Sequence, residues 1–153
     1  HLLHLEPVEG ADRAPGALDP GLQLGPQGHR VGRLGDGWLP SFCDATDIAT
    51  GIPVIEEAAA AADRAIDPEH FGALVAYAHG EVPEVFLQFV QKRRPDITDP
   101  TQIIPSGHAG LKQRLEEMLE VGASKFVVLP IVEPDDWDAE LDALATAVLP
   151  LQN

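Results

Sequence analysis

Two apolar segments decide the fold of this chain: residues 125–132, KFVVLPIV, and residues 71–78, FGALVAYA. Gly122 precedes the first segment, and Gly80 follows the second. Apolar runs of this length that lie between turn-forming residues are typical of buried β-strands. Because residues 125–132 are apolar throughout their middle, we expect a parallel strand that is buried on both faces.

Helical patterns lie between and after these strands. Apolar residues recur on one face, and capping or helix-ending residues flank the pattern, in four segments: residues 53–66, 83–94, 109–121 and 137–149. For the first of these helices, Thr50 is the expected cap, and Pro53 suits the first turn. Residues 22–25 and 37–40 are weaker strand candidates, and residues 29–34 have room for a short helix only.

The predicted order is a strand followed by a helix, repeated four times, with an extra helix in the third unit. Such alternation is typical of an α/β fold with a parallel sheet. Right-handed crossovers allow either an open doubly wound sheet or an arc of a (βα) barrel. A complete eight-unit barrel needs about 250 residues, and this chain has 153. We predict an irregular lead-in over residues 1–20 and one domain of four βα units over residues 21–153.

The charge of the chain excludes several classes of function. Ten lysines and arginines against 25 aspartates and glutamates give a formal charge of -15. A surface of this sign repels nucleic-acid phosphates and anionic membranes. The chain has no apolar run long enough for a membrane span, no pattern of a signal peptide and only one cysteine, Cys43. We therefore expect a cytoplasmic protein that binds neither nucleic acid nor a membrane.

Candidate site residues are those that follow the predicted strands, because ligands of parallel α/β folds bind at the carboxyl ends of strands. Ser41 follows the second strand and could bind a ligand or its own backbone. His79 follows the third and could serve as acid, base or hydrogen-bond donor, or simply pack. After the first strand comes a segment whose glycines let backbone amides approach a phosphate, or which could form an ordinary turn: Gly25, Pro26, Gln27 and Gly28.

Other reactive side chains suggest no site. Cys43 has no base beside it in the sequence, so it is a poor candidate for a nucleophile. The acidic residues Asp135, Asp136 and Asp138 precede a predicted helix and are best explained as its N-terminal cap. His108, in the first turn of another helix, is expected to face solvent. We predict no metal site and can name no catalytic acid or base.

Two segments resemble a known family. Residues 32–41, GRLGDGWLPS, resemble the R-x-A-D-G-W-x-P signature of the luciferase-like monooxygenase superfamily. Residues 123–130, ASKFVVLP, and the helix that ends at residues 148–150 are similar to the last strand and helix of that superfamily. Residues 67–72, DPEHFG, and 77–80, YAHG, resemble its subgroup of deazaflavin-dependent oxidoreductases. The similarity covers about residues 21–150.

The resemblance implies a TIM-type (βα)8 barrel that holds FMN or a deazaflavin coenzyme and carries out hydride transfer or oxygenation on a small organic substrate. In this family a glycine-containing loop after the fifth strand helps to bind the coenzyme phosphate, and residues 25–28 occupy the matching place. They lack the common Gly-Gly-x-Ser form, so only backbone donation carries over. Ser41 and His79 are expected to line the same site. Residues 41–44 contain no cation, which disfavours sugar-phosphate substrates.

The chain matches only the C-terminal half of the family's barrel. A half-barrel exposes unpaired strand edges, so we expect a homo-oligomer or pairing with a missing N-terminal half. One alternative is a non-catalytic half-barrel that acts as a subunit-association module. A weaker alternative is an open doubly wound nucleotide-binding domain, but the chain lacks the G-x-G-x-x-G pattern after a convincing strand.

Overall fold

The computed structural model describes residues 24–152. Three short 3-10 helices accompany the regular elements, at Pro68–His70, Pro100–Ile103 and Leu149–Leu151. The helices and strands are, in chain order, α1 (Leu24–Leu34), α2 (Ala45–Ala60), β1 (Gly72–Tyr77), α3 (Glu84–Arg93), α4 (Gly107–Glu120), β2 (Lys125–Pro130) and α5 (Trp137–Val148). The two strongest predicted strands and the helices predicted at residues 83–94, 109–121 and 137–149 are thus confirmed.

The sheet is parallel and follows the order of the sequence. Strands β1 and β2 pair in parallel along their whole length. Residues 38–41 add a third row beside β1 through bridges of Trp38 to Phe71 and of Ser41 to Leu74. In this row the amide of Gly72 donates to the carbonyl oxygen of Trp38 at 2.9 Å. The predicted strand at residues 37–40 is therefore present as a short parallel row, and the α/β class is confirmed.

One face of the sheet carries the core. Tyr77 of β1, on this face, is fully buried in one cluster with Leu111 and Met118 of α4, against which Leu144 of α5 packs. The other side, here called the inner face, is partly open, and Val127 and Leu129 of β2 are 48% and 36% exposed. The inner face comprises the side chains of alternate residues, Leu39, Leu74, Ala76, Val127 and Leu129. The prediction that residues 125–132 are buried on both faces is therefore wrong within residues 24–152, because no element of this part of the chain covers β2 there.

Helices α1 and α2 pack closely through a glycine. A Cβ atom on Gly32 would lie 2.3 Å from the carbonyl oxygen of Ile55, so only glycine permits this approach. Gly28 faces Val54, and Gly32 faces Ala58 one turn later. The two helices therefore run in the same direction.

The structure corrects the prediction for residues 22–28. Leu24 and Gly25 are helical, so the predicted strand at residues 22–25 and the glycine loop after it are wrong where the structure describes them. Gly25, Pro26, Gln27 and Gly28 instead form the first turns of α1. Residues 22 and 23, like the predicted lead-in over residues 1–20, lie outside the described residues.

The structure also moves the helix predicted at residues 53–66. Helix α2 begins eight residues earlier, at Ala45, and ends at Ala60. Asp44 and Asp47 form a reciprocal capping box with two hydrogen bonds of 2.9 Å. Because this cap satisfies the first amides of the helix, Pro53 lies in the helix interior, and Thr50 is a helical residue, not a cap.

Helices that could cross a membrane were sought among residues 24–152. None of these helices combines the length and the apolar character that a span requires.

Candidate functional site

The carboxyl ends of the parallel rows lie at one edge of the sheet, here called the carboxyl edge. It contains Ser41, the end of β1 with His79, and the end of β2. Helix α2 begins just after Ser41, and α1 runs parallel to α2. The first turns of α1, and with them Gly25, therefore point toward the same edge.

Residues 25–28 therefore lie near the carboxyl edge, but in a helix and not in the predicted loop. The first amides of an α-helix have no partner within the helix and carry partial positive charge. Because α1 begins at Leu24, Gln27 is the first residue whose amide donates within the helix, and Pro26 has no amide hydrogen. Gly25 is therefore the member of this segment whose amide is left at the start of α1. Gly28 lies deeper in the helix and packs against Val54.

The turn that follows Ser41 is stabilised by a buried cation, Arg94, from a distant part of the sequence. Phe42, the next residue, has a left-handed backbone with φ of 55°, which is strained for a bulky residue. Its carbonyl oxygen accepts a 2.5 Å hydrogen bond from Nη1 of Arg94, and its ring packs edge-on against Phe89 at 5.6 Å. These contacts fix the turn that follows Ser41.

Arg94 is 5% exposed and is neutralised by two carboxylates. Its guanidinium donates to Asp47 at 2.8 Å and to Asp96 at 2.8 Å. Burial by itself lowers the pKa of Arg94, but the hydrogen bonds to Asp96 and Asp47 raise it overall. The hydrogen bond from Arg94 in turn lowers the pKa of Asp96. Arg94 therefore supports the turn after Ser41, and the carboxylates of Asp47 and Asp96 neutralise its charge.

Cys43 is unsuited to nucleophilic catalysis, as the sequence predicts. The side chain is 4% exposed. Burial, together with the charges of Asp47 and Asp44, raises the pKa of the Cys43 thiol to about 12. The thiolate that would attack a substrate is therefore nearly absent at neutral pH.

His79 belongs to a polar cluster on the helix-bearing side of the carboxyl edge. Its Nε2 lies 2.9 and 3.0 Å from the two carboxylate oxygens of Glu140. Nε2 of His108 lies 2.8 Å from Oε1 of the same carboxylate, and the hydroxyl of Tyr77 donates to it at 2.5 Å. The hydrogen bond from Tyr77, followed by that from His79, lowers the pKa of Glu140 to about 2. Glu140 is therefore an anion throughout the physiological range.

This cluster corrects one prediction and leaves another untested. His108 does not face solvent, because its side chain is 18% exposed and bonds to Glu140. His79 lies at the expected strand end, but whether it lines a coenzyme site stays a prediction. As predicted, Asp136 is the cap of α5, with its carboxylate accepting from the amide of Ala139 at 3.0 Å.

The sequence patterns do not identify two functional candidates, Arg94 and Glu140. Arg94 ends a helix where a basic residue is expected for the dipole alone, and Glu140 lies in the first turn of α5, where an acid is equally ordinary. Their partners are 47 residues away in the case of Asp47 and 61 in the case of His79. No local spacing reports such pairs.

Comparison with known proteins finds similarity in structure only. No family model matches the chain, and no curated protein matches it in sequence. A coenzyme F420 dependent tetrahydromethanopterin reductase from Methanopyrus kandleri superposes with a TM-score of 0.54 at 14% identity, over 82% of this chain and 48% of that chain. An F420-dependent secondary alcohol dehydrogenase in complex with an F420-acetone adduct gives a TM-score of 0.59 at 15% identity, over 82% of this chain and 46% of that chain.

The chain therefore spans about half the length of these structural neighbours. At such low identity the likeness establishes the fold and not the reaction. It agrees with the resemblance to the luciferase-like superfamily that the sequence carries in residues 32–41 and 123–130. Over 82% of its length, the chain has the fold of about half of each of these two F420-dependent enzymes.

Proposed function

We propose that this chain forms the C-terminal half of a (βα)8 barrel in a deazaflavin-dependent oxidoreductase of the luciferase-like superfamily. The observation that carries the proposal is the similarity of fold to two enzymes that are both F420-dependent. The motif in residues 32–41 supports it independently. Because both neighbours are named for F420, a deazaflavin is favoured over FMN.

The open sheet supports the half-barrel part of the proposal. Three parallel rows follow one another in sequence order, as neighbouring strands of a barrel do. Within residues 24–152 this order has no reversal, the feature at which doubly wound sheets bind nucleotides. Leu39, Val127 and Leu129 expose apolar side chains on the inner face. A second half-barrel, from an N-terminal half or another copy, would cover them and pair the edge of β2 that has no partner strand within residues 24–152.

At the carboxyl edge, backbone amides more than side-chain cations would bind an anionic coenzyme. The amide of Gly25, at the start of α1, would bind the coenzyme phosphate. Ser41, on its rigid turn, would hydrogen-bond the coenzyme, and His79 would lie at the border of the site. The coenzyme itself supplies the hydride chemistry. The role of this chain is then to orient the coenzyme and to exclude water beneath it with the apolar inner face.

Titration of the protein, expressed from its whole coding sequence, with F420 and separately with FMN tests this function. We expect saturable binding of F420, followed by its fluorescence, and weaker binding of FMN. Gly25→Pro removes one amide hydrogen in the first helical turn, where proline is tolerated. The matched variant Gly25→Ala keeps the amide. We expect at least tenfold weaker binding for Gly25→Pro alone, since a hydrogen bond to a charged group contributes roughly 1.5–3 kcal/mol. Failure of both coenzymes to bind would contradict the proposal.

The second candidate function is a non-catalytic association module, which the open inner face favours. It predicts a dimer that binds neither coenzyme. Val127→Asp places a charge on the inner face, and Val85→Asp places one on an α3 position that is 74% exposed. If two copies cover each other's inner faces, sedimentation will detect dissociation for Val127→Asp and not for Val85→Asp. An association module would give this result without coenzyme binding, whereas the oxidoreductase requires coenzyme binding.

A further inference from the structure

The cluster around Glu140 brings together three metal-ligating side chains from separate parts of the chain. His79 follows β1, His108 lies in the first turn of α4, and Glu140 lies in the first turn of α5. One ligand atom of each lies within 4.8 Å of the other two. The cluster does not depend on the proposed coenzyme or on the inner face.

The hydrogen bonds of this cluster are unevenly distributed. Oε1 of Glu140 lies within 3.0 Å of three polar atoms, the Tyr77 hydroxyl oxygen and Nε2 of both His79 and His108. Nε2 of His79 also lies 3.0 Å from Oε2, so the carboxylate, with about four lone pairs, can accept from all three groups when they carry protons. If the two histidines carry their protons on Nδ1, each Nε2 instead directs a lone pair toward the same place as Oε1. A single cation there satisfies all three groups.

The donor set indicates which cation fits. Two imidazole nitrogens and one carboxylate oxygen are a common ligand set of Zn²⁺, with a fourth position left to water. Around a tetrahedral zinc ion with bonds of about 2.0–2.1 Å, ligand atoms are roughly 3.4 Å apart. The observed distances from Glu140 of 2.8–3.0 Å need only a small expansion. The side chain of His79 is 48% exposed, which leaves the fourth position accessible to water.

The surroundings favour a cation. Tyr77, fully buried in the core, donates to the carboxylate and would hold it in orientation, as residues behind metal ligands commonly do. Residues 126–152 contain no lysine or arginine. They contain six acidic residues, Glu133, Asp135, Asp136, Asp138, Glu140 and Asp142.

We propose that His79, His108 and Glu140 form a binding site for a divalent transition-metal ion, with Zn²⁺ the best fit. The site lies at the carboxyl edge, outside the inner face, and holds its ion with one position open to water.

Zinc titration against a chromophoric chelator tests the site. His1 and His4, which could bind zinc at the N-terminus, are replaced by alanine in every protein used. We expect one equivalent of Zn²⁺ bound with a Kd of micromolar or below. His79→Ala and His108→Ala should each weaken binding at least tenfold. His29→Ala, at an exposed histidine of α1, is the matched control and should leave the Kd unchanged.

Two further variants separate ligation from folding. Glu140→Gln keeps the shape of the side chain and should abolish tight binding, while Tyr77→Phe keeps the ring in the core and should weaken binding about 10–100-fold. Circular dichroism verifies that each variant is folded, and for any variant that is not, the proton resonances of His79 and His108 in the parent protein serve instead. These resonances should shift on addition of one equivalent of Zn²⁺. Absence of zinc binding by the parent protein, or equal binding by the His79→Ala and His108→Ala variants, would overturn the proposal.

Discussion

Replacing Arg94 by methionine tests the view that a buried cation fixes the turn after Ser41. Methionine keeps most of the aliphatic side chain and removes the guanidinium. The change leaves Asp47, whose side chain is 10% exposed, and Asp96, whose side chain is 17% exposed, without their cation. It also leaves the carbonyl oxygen of Phe42 without its donor.

The expected cost follows from the burial of these groups. Removing one partner of a buried ion pair destabilises a protein by about 3–5 kcal/mol, because the remaining charge is buried and unpaired. A domain of this size has a total free energy of unfolding of about 5–15 kcal/mol. One kcal/mol corresponds to a shift of roughly 2–4 °C in Tm, so we expect Tm to fall by about 10 °C. Urea unfolding at pH 7, followed by circular dichroism, measures the same loss as a free energy.

The neighbouring arginine provides the control. Arg93, on the same helix, is exposed and contacts the Phe89 ring at 5.0 Å. An exposed cation–π contact contributes about 0.5–1 kcal/mol, so Arg93→Met should cost no more than that. If Arg94→Met costs less than 1 kcal/mol, or no more than Arg93→Met, the buried network does not stabilise the loop, and the explanation given for the position of Ser41 is wrong.

Three further predictions concern packing, reactivity and pH. Gly32→Ala puts a methyl group 2.3 Å from a carbonyl oxygen of α2 and should lower stability by about 1–3 kcal/mol or more. Gly28→Ala, whose Cβ would meet side-chain carbons of α2, the nearest at 3.2 Å, should cost clearly less in the same urea experiment. Cys43, with its pKa raised to about 12, should react with a disulfide reagent only as fast as the protein opens, so full modification within seconds at pH 8 would contradict its burial. The pKa of Asp96 is lowered in the folded protein, so its ion pair with Arg94 stabilises the fold fully above the ordinary pKa of 3.8. This stability is lost as the pH falls through the lower folded pKa. The difference in stability between the parent protein and Arg94→Met should therefore shrink in acid, and a difference that stays constant down to pH 2 would count against the ion pair.

Local sequence determined most elements of the fold. Strands β1 and β2 are short apolar runs between turn formers, and helix α4 has a regular apolar face, so that the local energetics and the tertiary fold agree. The prediction failed where two local signals competed. Pro53 suits a helix start, but the capping box formed by Asp44 and Asp47 begins α2 earlier and outweighs it. The glycines of residues 25–28 are typical of a loop, yet the α1 segment is helical, and its Gly28 and Gly32 face α2.

The amino-acid sequence by itself determined the alternation of strands and helices, the negative charge and the absence of a base beside Cys43, because periodicity, composition and sequence neighbours can be read without the fold. Only the tertiary structure decided that Arg94 supports the turn after Ser41 and that His79 and His108 meet at Glu140. These contacts join residues 32–61 positions apart. They exist because parallel strands bring their carboxyl ends, and the helices that follow them, to one edge of the sheet, which no local spacing encodes.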